Sequence, residues 1–305
     1  MPYLTQLVLN TARLDAPAAK AATATSQSAF TVEFGARTDT GRVRHNNEDS
    51  FLAAPEMNLF VLSDGMGGLT AGEVASRLTV DSVAAHCRDA EADPALEFIG
   101  EKFAGIRPAS NRLASAVRFA NRVVYHAAHR HSRQHGMGAT VVAVRFTQER
   151  MTVAHVGDSR AYRLRGQHLE QLTQDHSLVA EQVRRGQITE REAGVSELRN
   201  VLMRGIGVES EVEADVSEEL VMDQDVVLLC SDGLTRELSD SQIADVLAAH
   251  TCAQTAADRL VDLASQAGGL DNITAVVVRP TPRAGGPRSG GHIFGKWFSG
   301  LAGQL

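Results

Sequence analysis

Four acidic residues each stand at the end of an apolar run or in a tight Gly/Asn turn: Asp49 in RVRHNNEDSF, Asp64 in NLFVLSDGMGG, Asp232 in VVLLCSDGL and Asp271 in GGLDNITAVVV. Carboxylates repel one another when gathered without a cation. If the fold collects them, Mg²⁺ or Mn²⁺ is the expected partner, because these ions take oxygen ligands and keep several waters. Such a cluster suits the hydrolysis of a phosphate ester. Asp64 and Asp232 are followed by Gly65 and Gly233. Glycine lets the backbone turn or approach a ligand, and its carbonyl is open to a cation. Taken singly, Asp-Gly after a strand is also an ordinary turn signal.

The neighbouring residues allow two readings each. Glu48-Asp49 is a solvated acidic pair or part of the cluster. Arg44, four residues before Glu48, is its surface ion-pair partner, or a guanidinium fork matched to two phosphate oxygens. Gly157-Asp158 is a turn or a further, weaker cation site. His45, His155 and His176 lie near these segments and read as polar satellites, since imidazole suits zinc or iron. Gly67-Gly68 lacks the Gly-Lys-Ser/Thr ending of a phosphate-binding loop.

The elements that must position these residues follow from periodicity. FTVEFGAR alternates as a strand, and SFLAA with NLFVLSD forms a hairpin turning near Pro55, Glu56 and Met57. Thr70 and Glu73 spell a capping box for a helix running to about His86. Leu113, Val117, Ala120, Val124 and Ala127 recur at helical spacing. ATVVAVRF, MTVAHVGD and SRAYRLR suggest an antiparallel meander. Residues 176–222 are more polar and read as a surface flap, with a short helix capped by Thr189 and Glu192. VVLLCSD is a buried strand. Ser239 and Gln242 cap the next helix, Ala256 to Ala267 form another, and ITAVVV is the closing strand. This order lacks regular strand–helix alternation, so it favours mostly antiparallel sheet covered by helices. LFVLSDGM and VLLCSDGL echo each other, as if two sheets each offered one carboxylate to a shared cleft.

Composition narrows the class. The 305 residues carry 43% hydrophobic and 22% charged residues, ordinary for a globular protein. A net charge of −7 argues against a general nucleic-acid binder. Three cysteines without CxxC spacing argue against a disulfide framework and for a reducing compartment, so a cytoplasmic location is expected. The cysteines read as sitting in apolar contexts, and Cys230 as a small buried residue. No apolar run is long enough to span a membrane, and LTQLVL lacks the flanks of a secretory signal.

Residues 1–29 read as a disordered or loosely docked leader, residues 30–280 as the catalytic domain, and 281–305 as a Gly/Pro linker and short apolar tail. In that tail Ile293, Phe294, Trp297, Phe298 and Leu301 share one helical face, which either folds back on the domain or docks a partner or a membrane surface.

Taken in order, TDTGRVRHNNEDSF, FVLSDGMGG, GATVVAV, AHVGDSRAYRLR, LTQDHS, LLCSDGL and DNITAVVV resemble the metal-dependent serine/threonine phosphatases of the type 2C (PPM) family, in its bacterial branch. The resemblance implies an α+β fold: a four-layer α-β-β-α sandwich of two antiparallel sheets flanked by helices, with a two-metal centre at one end. It implies that Asp64 bridges two Mn²⁺ or Mg²⁺ ions, that the Gly65 carbonyl joins the second, and that Asp232 and Asp271 hold the first. Glu48 and Asp49 act through bound waters. Arg44 matches the phosphate-binding arginine, and Asp158 with Asp232 matches a third, weaker site. Thr140 and the 176–222 flap fall in site-shaping regions.

Some relatives carry a histidine, proposed as a general acid, where this chain has Met66. The reaction so implied is direct hydrolysis by a metal-bridging hydroxide, without a phosphoenzyme, on phosphoserine or phosphothreonine of proteins modified by a bacterial Ser/Thr kinase. Two other readings stay open: a small-molecule phosphate-ester hydrolase, and a non-catalytic phosphoprotein-binding module of the same fold.

Overall fold

The structure, a computed structural model, describes residues 30–67, 71–130 and 136–282. The expected leader, the Thr70 cap and the apolar tail lie outside the described residues. Strands β1 (Phe30–Asp39), β2 (Asp49–Ala54), β3 (Leu59–Met66), β4 (Gly138–Ala139), β5 (Val141–Thr147), β6 (Arg150–Val156), β7 (Arg160–Arg165), β8 (His168–Gln171), β9 (Asp215–Leu220), β10 (Val226–Cys230) and β11 (Ile273–Pro282) form two antiparallel sheets. One runs β1-β11-β10-β7-β8, and the other β2-β3-β5-β6-β9, with β4 paired to the end of β3. The helices are α1 (Ala71–Ala92), α2 (Pro108–Arg130), α3 (Leu178–Arg184), α4 (Glu190–Val195), α5 (Asp232–Thr235), α6 (Asp240–Ala249) and α7 (Ala253–Ala267).

The apolar runs are continuous because the central strands are buried on both faces. Side chains alternate across a strand. Leu59 and Val61 of β3 pack toward α1 and α2, in a layer with Val83, Leu113, Val117 and Val124. Phe60 and Leu62 point the other way and meet Val227 and Leu229 of β10 and Val276 and Val278 of β11 between the sheets. On the far side, Leu228, Cys230, Ala275 and Val277 pack with Ile243, Leu247, Leu260 and Val261 of α6 and α7. Three apolar layers therefore separate four layers of structure, the α-β-β-α order that the resemblance implies. Each fully buried Val, Leu or Ile contributes roughly 1.5–3 kcal/mol.

The predicted hairpin of SFLAA and NLFVLSD forms, closed by a 3-10 turn at Pro55–Met57. Both capping boxes of the second half form: Thr189 with Glu192 opens α4, and Ser239 with Gln242 opens α6.

Two expectations change. The three runs over 139–165 are not one meander: β5 and β6 pair, but β7 leaves for the other sheet and pairs β10 and β8. A short Gly-Asp-Ser connection reads the same in sequence whether it closes a hairpin or crosses between sheets. The 176–222 segment is a surface flap only in part, because residues 215–220 form edge strand β9 against β6. Its acids, Asp215, Glu218 and Glu219, find partners in Arg204, Arg107 and Arg163.

Candidate metal centre

Strands β3 and β10 come from different sheets and end at the same edge of the sandwich. Asp49 and Asp64 face each other in the β2–β3 register. Directly opposed residues on antiparallel strands share a face, and like charges there are destabilising. Asp232 opens α5 immediately after β10, and Asp271 lies in the turn entering β11. Asp158 sits in the β6–β7 crossing. Arg44, Glu48, Asp64, Gly65, Asp158, Asp232 and Asp271 line one cleft of about 190 Å³. Asp49 lies beneath it, 7% exposed.

Fixed hydrogen bonds hold the acids in place. Asp49 Oδ2 accepts from Ser231 Oγ at 2.8 Å and from Thr274 Oγ1 at 2.6 Å. Asp49 Oδ1 and Asp232 Oδ1 are buried and have no hydrogen-bond partner. The Asp64 amide donates to Thr140 Oγ1 at 3.0 Å, and the Thr140 amide returns a 2.8 Å bond to the Asp64 carbonyl. Thr140 Oγ1 also lies 2.7 Å from Ser159 Oγ, so one threonine ties the Asp64 strand to the Asp158 turn.

Asn272 anchors the loop that carries Arg44. It accepts from the Glu48 amide at 2.8 Å and donates to the Thr40 and Asn46 carbonyls, each at 2.9 Å. Arg44 grips Asp271 bidentately, with Nε at 2.8 Å and Nη2 at 2.9 Å. The surface ion-pair partner foreseen for Arg44 was Glu48, but the structure gives Asp271. An acid in register across a loop closure leaves no local signal in sequence.

Burial and mutual repulsion raise these carboxyls. Asp64 is held well above the usual carboxylate range by burial and by Asp49 and Asp232. Burial raises Asp232, with Arg236 opposing and Asp271 reinforcing the shift. Asp49 is pushed up to about 7 by burial, against its bonds from Thr274 and Ser231. Asp158 reaches about 7 through burial and the charge of Asp232. An all-oxygen donor set with orphaned, buried carboxylate oxygens fits hard divalent cations.

A pH effect follows. In the unfolded chain Asp titrates near ~3.9. The metal-free native state therefore binds more protons between about pH 4 and 7, and its stability falls as pH rises through that window. A divalent cation needs the deprotonated acids, so its binding releases protons. Mn²⁺ is expected to raise the melting temperature of the chelator-stripped protein more at about pH 8 than at about pH 6. Thermal scans at both values check this, and equal shifts would contradict it.

The histidines behave as satellites. His45 is exposed. His155 and His176 stack at 4.6 Å and 24°, beside Asp215. Their potential ligand atoms and that of Asp215 lie within 4.8 Å of one another. Partners already engage both rings: His155 Nε2 lies 2.8 Å from the Gln174 carbonyl oxygen, and His176 Nε2 lies 3.3 Å from Asp215 Oδ2. Asp215 is also engaged by Arg204 at 2.7 Å. His176 instead accepts the Gly157 amide at Nδ1 (3.2 Å), and its own amide donates to the Gly157 carbonyl at 2.9 Å. That clamp fixes the turn that presents Asp158.

Of the cysteines, Cys87 and Cys230 are buried, which pushes their thiols up to about 11 and about 12. Cys252 is exposed rather than apolar in context, and stands at the start of α7. None of the three lines the cleft.

Sequence reasoning missed Asn200, Leu202 and Arg236, which also line the cleft. Arg236 had a readable signal: it lies four residues after Asp232, one helical turn on. Asn200 and Leu202 come from the flap and had none.

A sandwich of two antiparallel sheets between helices, with oxygen donors from both sheets meeting at one end beside a guanidinium, defines a hard-cation centre built for an anionic ligand. The sequence matches the family described as "Protein phosphatase 2C" over residues 41–266. This chain belongs to that family. It is 35% identical over 245 residues to the serine/threonine phosphatase stp of Listeria monocytogenes, an alignment covering 79% of this chain and 93% of the relative. Among solved structures, the Mycobacterium tuberculosis serine/threonine phosphatase PstP/Ppp superposes with a TM-score of 0.70 at 38% identity, covering 81% of this chain and 98% of that one. A second PstP structure, its catalytic domain in complex with two manganese ions, gives 0.70 at 36% identity, covering 83% and 99%.

Proposed function

We propose that this chain is a metal-dependent phosphatase acting on phosphoserine and phosphothreonine in proteins. The observation that carries the reading is the meeting of Asp64, Asp232 and Asp271 with Arg44 in one cleft of a family member. The names of the relatives supply the substrate class. Manganese in the PstP structure supports Mn²⁺, with Mg²⁺ as its chemical equivalent.

Asp64, Asp232 and Asp271, with the Gly65 carbonyl, would hold two such ions. Glu48 and Asp49 would act through their waters, and Asp158 with Asp232 would hold a third more weakly. Bound there, the ions would supply Lewis acidity to water and to the phosphoryl oxygens. Arg44, released from Asp271, would fork toward two phosphoryl oxygens and balance the charge that builds on them. Thr140 and Asn272 keep Asp64 and the Arg44 loop in register. Met66 lines the cleft and donates no proton, so the leaving group is protonated by something else. The buried thiols of Cys87 and Cys230 exclude a cysteinyl phosphoenzyme at those positions.

We place the protein in a bacterial Ser/Thr kinase circuit, where it would reverse phosphorylation in the cytoplasm. Bacterial relatives named as phosphatases support this, together with cysteines that form no disulfide among the described residues. No helix among the described residues is long and apolar enough to cross a membrane. The excess of acidic residues disfavours nucleic acid as a partner. The apolar tail is kept as a candidate docking segment, to be tested by deleting residues 281–305 and comparing pull-downs.

The test is turnover by the purified full chain. Phosphate should be released from phosphothreonine and phosphoserine peptides with Mn²⁺ or Mg²⁺ present. Chelation should reduce the rate by at least about a hundredfold, and added metal should restore it. Hydrolysis of small phosphate esters but not phosphopeptides would overturn the protein-substrate assignment.

A further inference from the structure

The cleft contains a second guanidinium that the reaction above does not use. Arg236 follows the single turn of α5, and its amide donates to the Asp232 carbonyl at 2.9 Å. Its backbone is thereby fixed one helical turn past Asp232, and its side chain folds back over that acid to form an ion pair. The other arm of the fork reaches Asp271, with Nη1 3.0 Å from Oδ2. One guanidinium thus spans two acids brought in by different elements. Arg44 grips Asp271 as well, but from the 40–48 loop, and it makes no contact with Asp232 comparable to that of Arg236. The Arg236 side chain is only about a quarter exposed, with 26% of its surface open. Asp158 also feels its charge.

We propose that Arg236 is the resident counter-ion of the metal centre, a positioning residue that holds Asp232 and Asp271 in place and that an arriving divalent cation must displace. The inference rests on the metal-centre reading above. Two buried acids of like charge spread apart or take up protons unless a cation stands between them. Arg236 supplies that cation from within the chain and keeps both carboxylates aimed into one cleft. The same contact opposes metal uptake, because it already neutralises the two acids whose charge draws the ion in. A divalent ion entering between Asp232 and Asp271 meets the guanidinium that spans them, and breaking a partly buried pair costs free energy. Arg236 therefore trades cation affinity for order in the metal-free protein. The sign of this effect separates it from the opposite role: a residue that merely orients ligands for the ion would tighten binding when present.

The experiment is Mn²⁺ titration calorimetry on chelator-stripped full chain, wild type against R236Q, with a thermal scan of each sample. R236Q is expected to bind Mn²⁺ about tenfold more tightly. It should also melt earlier without metal and gain more from added Mn²⁺ than wild type does. R236K keeps the charge but loses the two-armed span, and should fall between the two. Affinity of R236Q that is equal to or weaker than wild type overturns the proposal. If R236Q does not fold, R236K decides alone: tighter binding than wild type supports the proposal, and equal or weaker binding overturns it. Failure of the wild type itself to take up Mn²⁺ would overturn the metal-centre reading and this inference with it, whereas normal uptake with unchanged variants overturns only the inference.

Discussion

Asp232→Asn should lower Mn²⁺-dependent release of phosphate from a phosphothreonine peptide by about a thousandfold or more, with the fold intact. The substitution keeps the shape of the side chain and removes its charge. Asp232 Oδ1 is a buried oxygen without a hydrogen-bond partner, so a metal-free role for that atom is absent among the described residues. In the variant one of the two side-chain oxygens becomes an NH₂ donor, which repels a cation. Stabilisation of charge in the transition state is typically the largest catalytic contribution, and losing one preorganised group costs about 10²–10³ in rate. A group that also sets the position of a cation should cost at least as much.

The fold should tolerate the change. Removing one charge relieves Asp64 and Asp158, each of which Asp232 pushes up. It weakens the pair with Arg236 at the same time. These effects oppose, and Arg236 keeps Asp271 as its partner. The melting temperature without metal should therefore move by only a few degrees, while the gain on adding Mn²⁺ shrinks sharply. Asp158→Asn should cost less than Asp232→Asn, because Asp158 is proposed only for the third, weaker site. Steady-state assays at saturating Mn²⁺, paired with thermal scans, measure both quantities. Turnover by Asp232→Asn at the wild-type rate would remove this acid from the centre.

How far the sequence reaches can be judged at particular residues. Asp64, Asp232 and Asp271 were readable because each follows or precedes a strand dense enough in apolar residues to be placed, and because Gly punctuates each turn. The echo of LFVLSDGM and VLLCSDGL foretold that two sheets would each present one carboxylate, and β3 and β10 do. The same reading could not assign β7 to its sheet. A continuous apolar run records that a strand has two buried faces but says nothing of which neighbours cover them. Strand β9 was lost in the flap because its acids, paired with arginines far along the chain, resemble a solvated loop. Asn272 was visible only as a turn residue. Its four-way role, joining Glu48, Thr40 and Asn46 to the start of β11, exists only after the 40–48 loop closes on it. Arg236 needed no long-range knowledge, only the observation that a base stands one helical turn after a catalytic-type acid.

Gly233→Ala should destabilise the protein by about 3 kcal/mol or more and disable the metal centre, although local rules favour the substitution. Gly233 lies inside α5, and replacing a helical glycine by alanine typically gains about 1 kcal/mol. Its backbone is not in the left-handed region, so alanine could adopt the same conformation. What forbids the methyl group is the neighbour. A Cβ built there would lie 2.1 Å from the Asn272 carbonyl oxygen and 3.3 Å from the Asp271 Cβ. Gly65 presents the same arrangement in the other sheet, where a Cβ would stand 2.1 Å from the Gly72 carbonyl oxygen.

The glycine after each aspartate was read from sequence as freedom to turn or to approach a ligand, with its carbonyl open to a cation. At Gly65 and Gly233 its purpose is close approach of two backbones. The obstacle at Gly233 is main chain, which cannot rotate aside as a side-chain tip can. Inserting carbon into packed structure costs roughly 1–3 kcal/mol, occasionally more, when the surroundings can adjust. Here adjustment means moving the β11 turn, and with it Asp271 and the Asn272 anchor of the Arg44 loop. Steric cost therefore outweighs helix propensity, and what yields is the spacing of the acids. Chemical denaturation should show the loss of stability. Mn²⁺ titration of whatever folds should show weakened uptake, since Asp232 and Asp271 would be held apart. Wild-type stability and metal affinity in Gly233→Ala would mean that the turn at Asp271 is softer than its packing indicates, and that β10 and β11 do not hold the two carboxylates in fixed register.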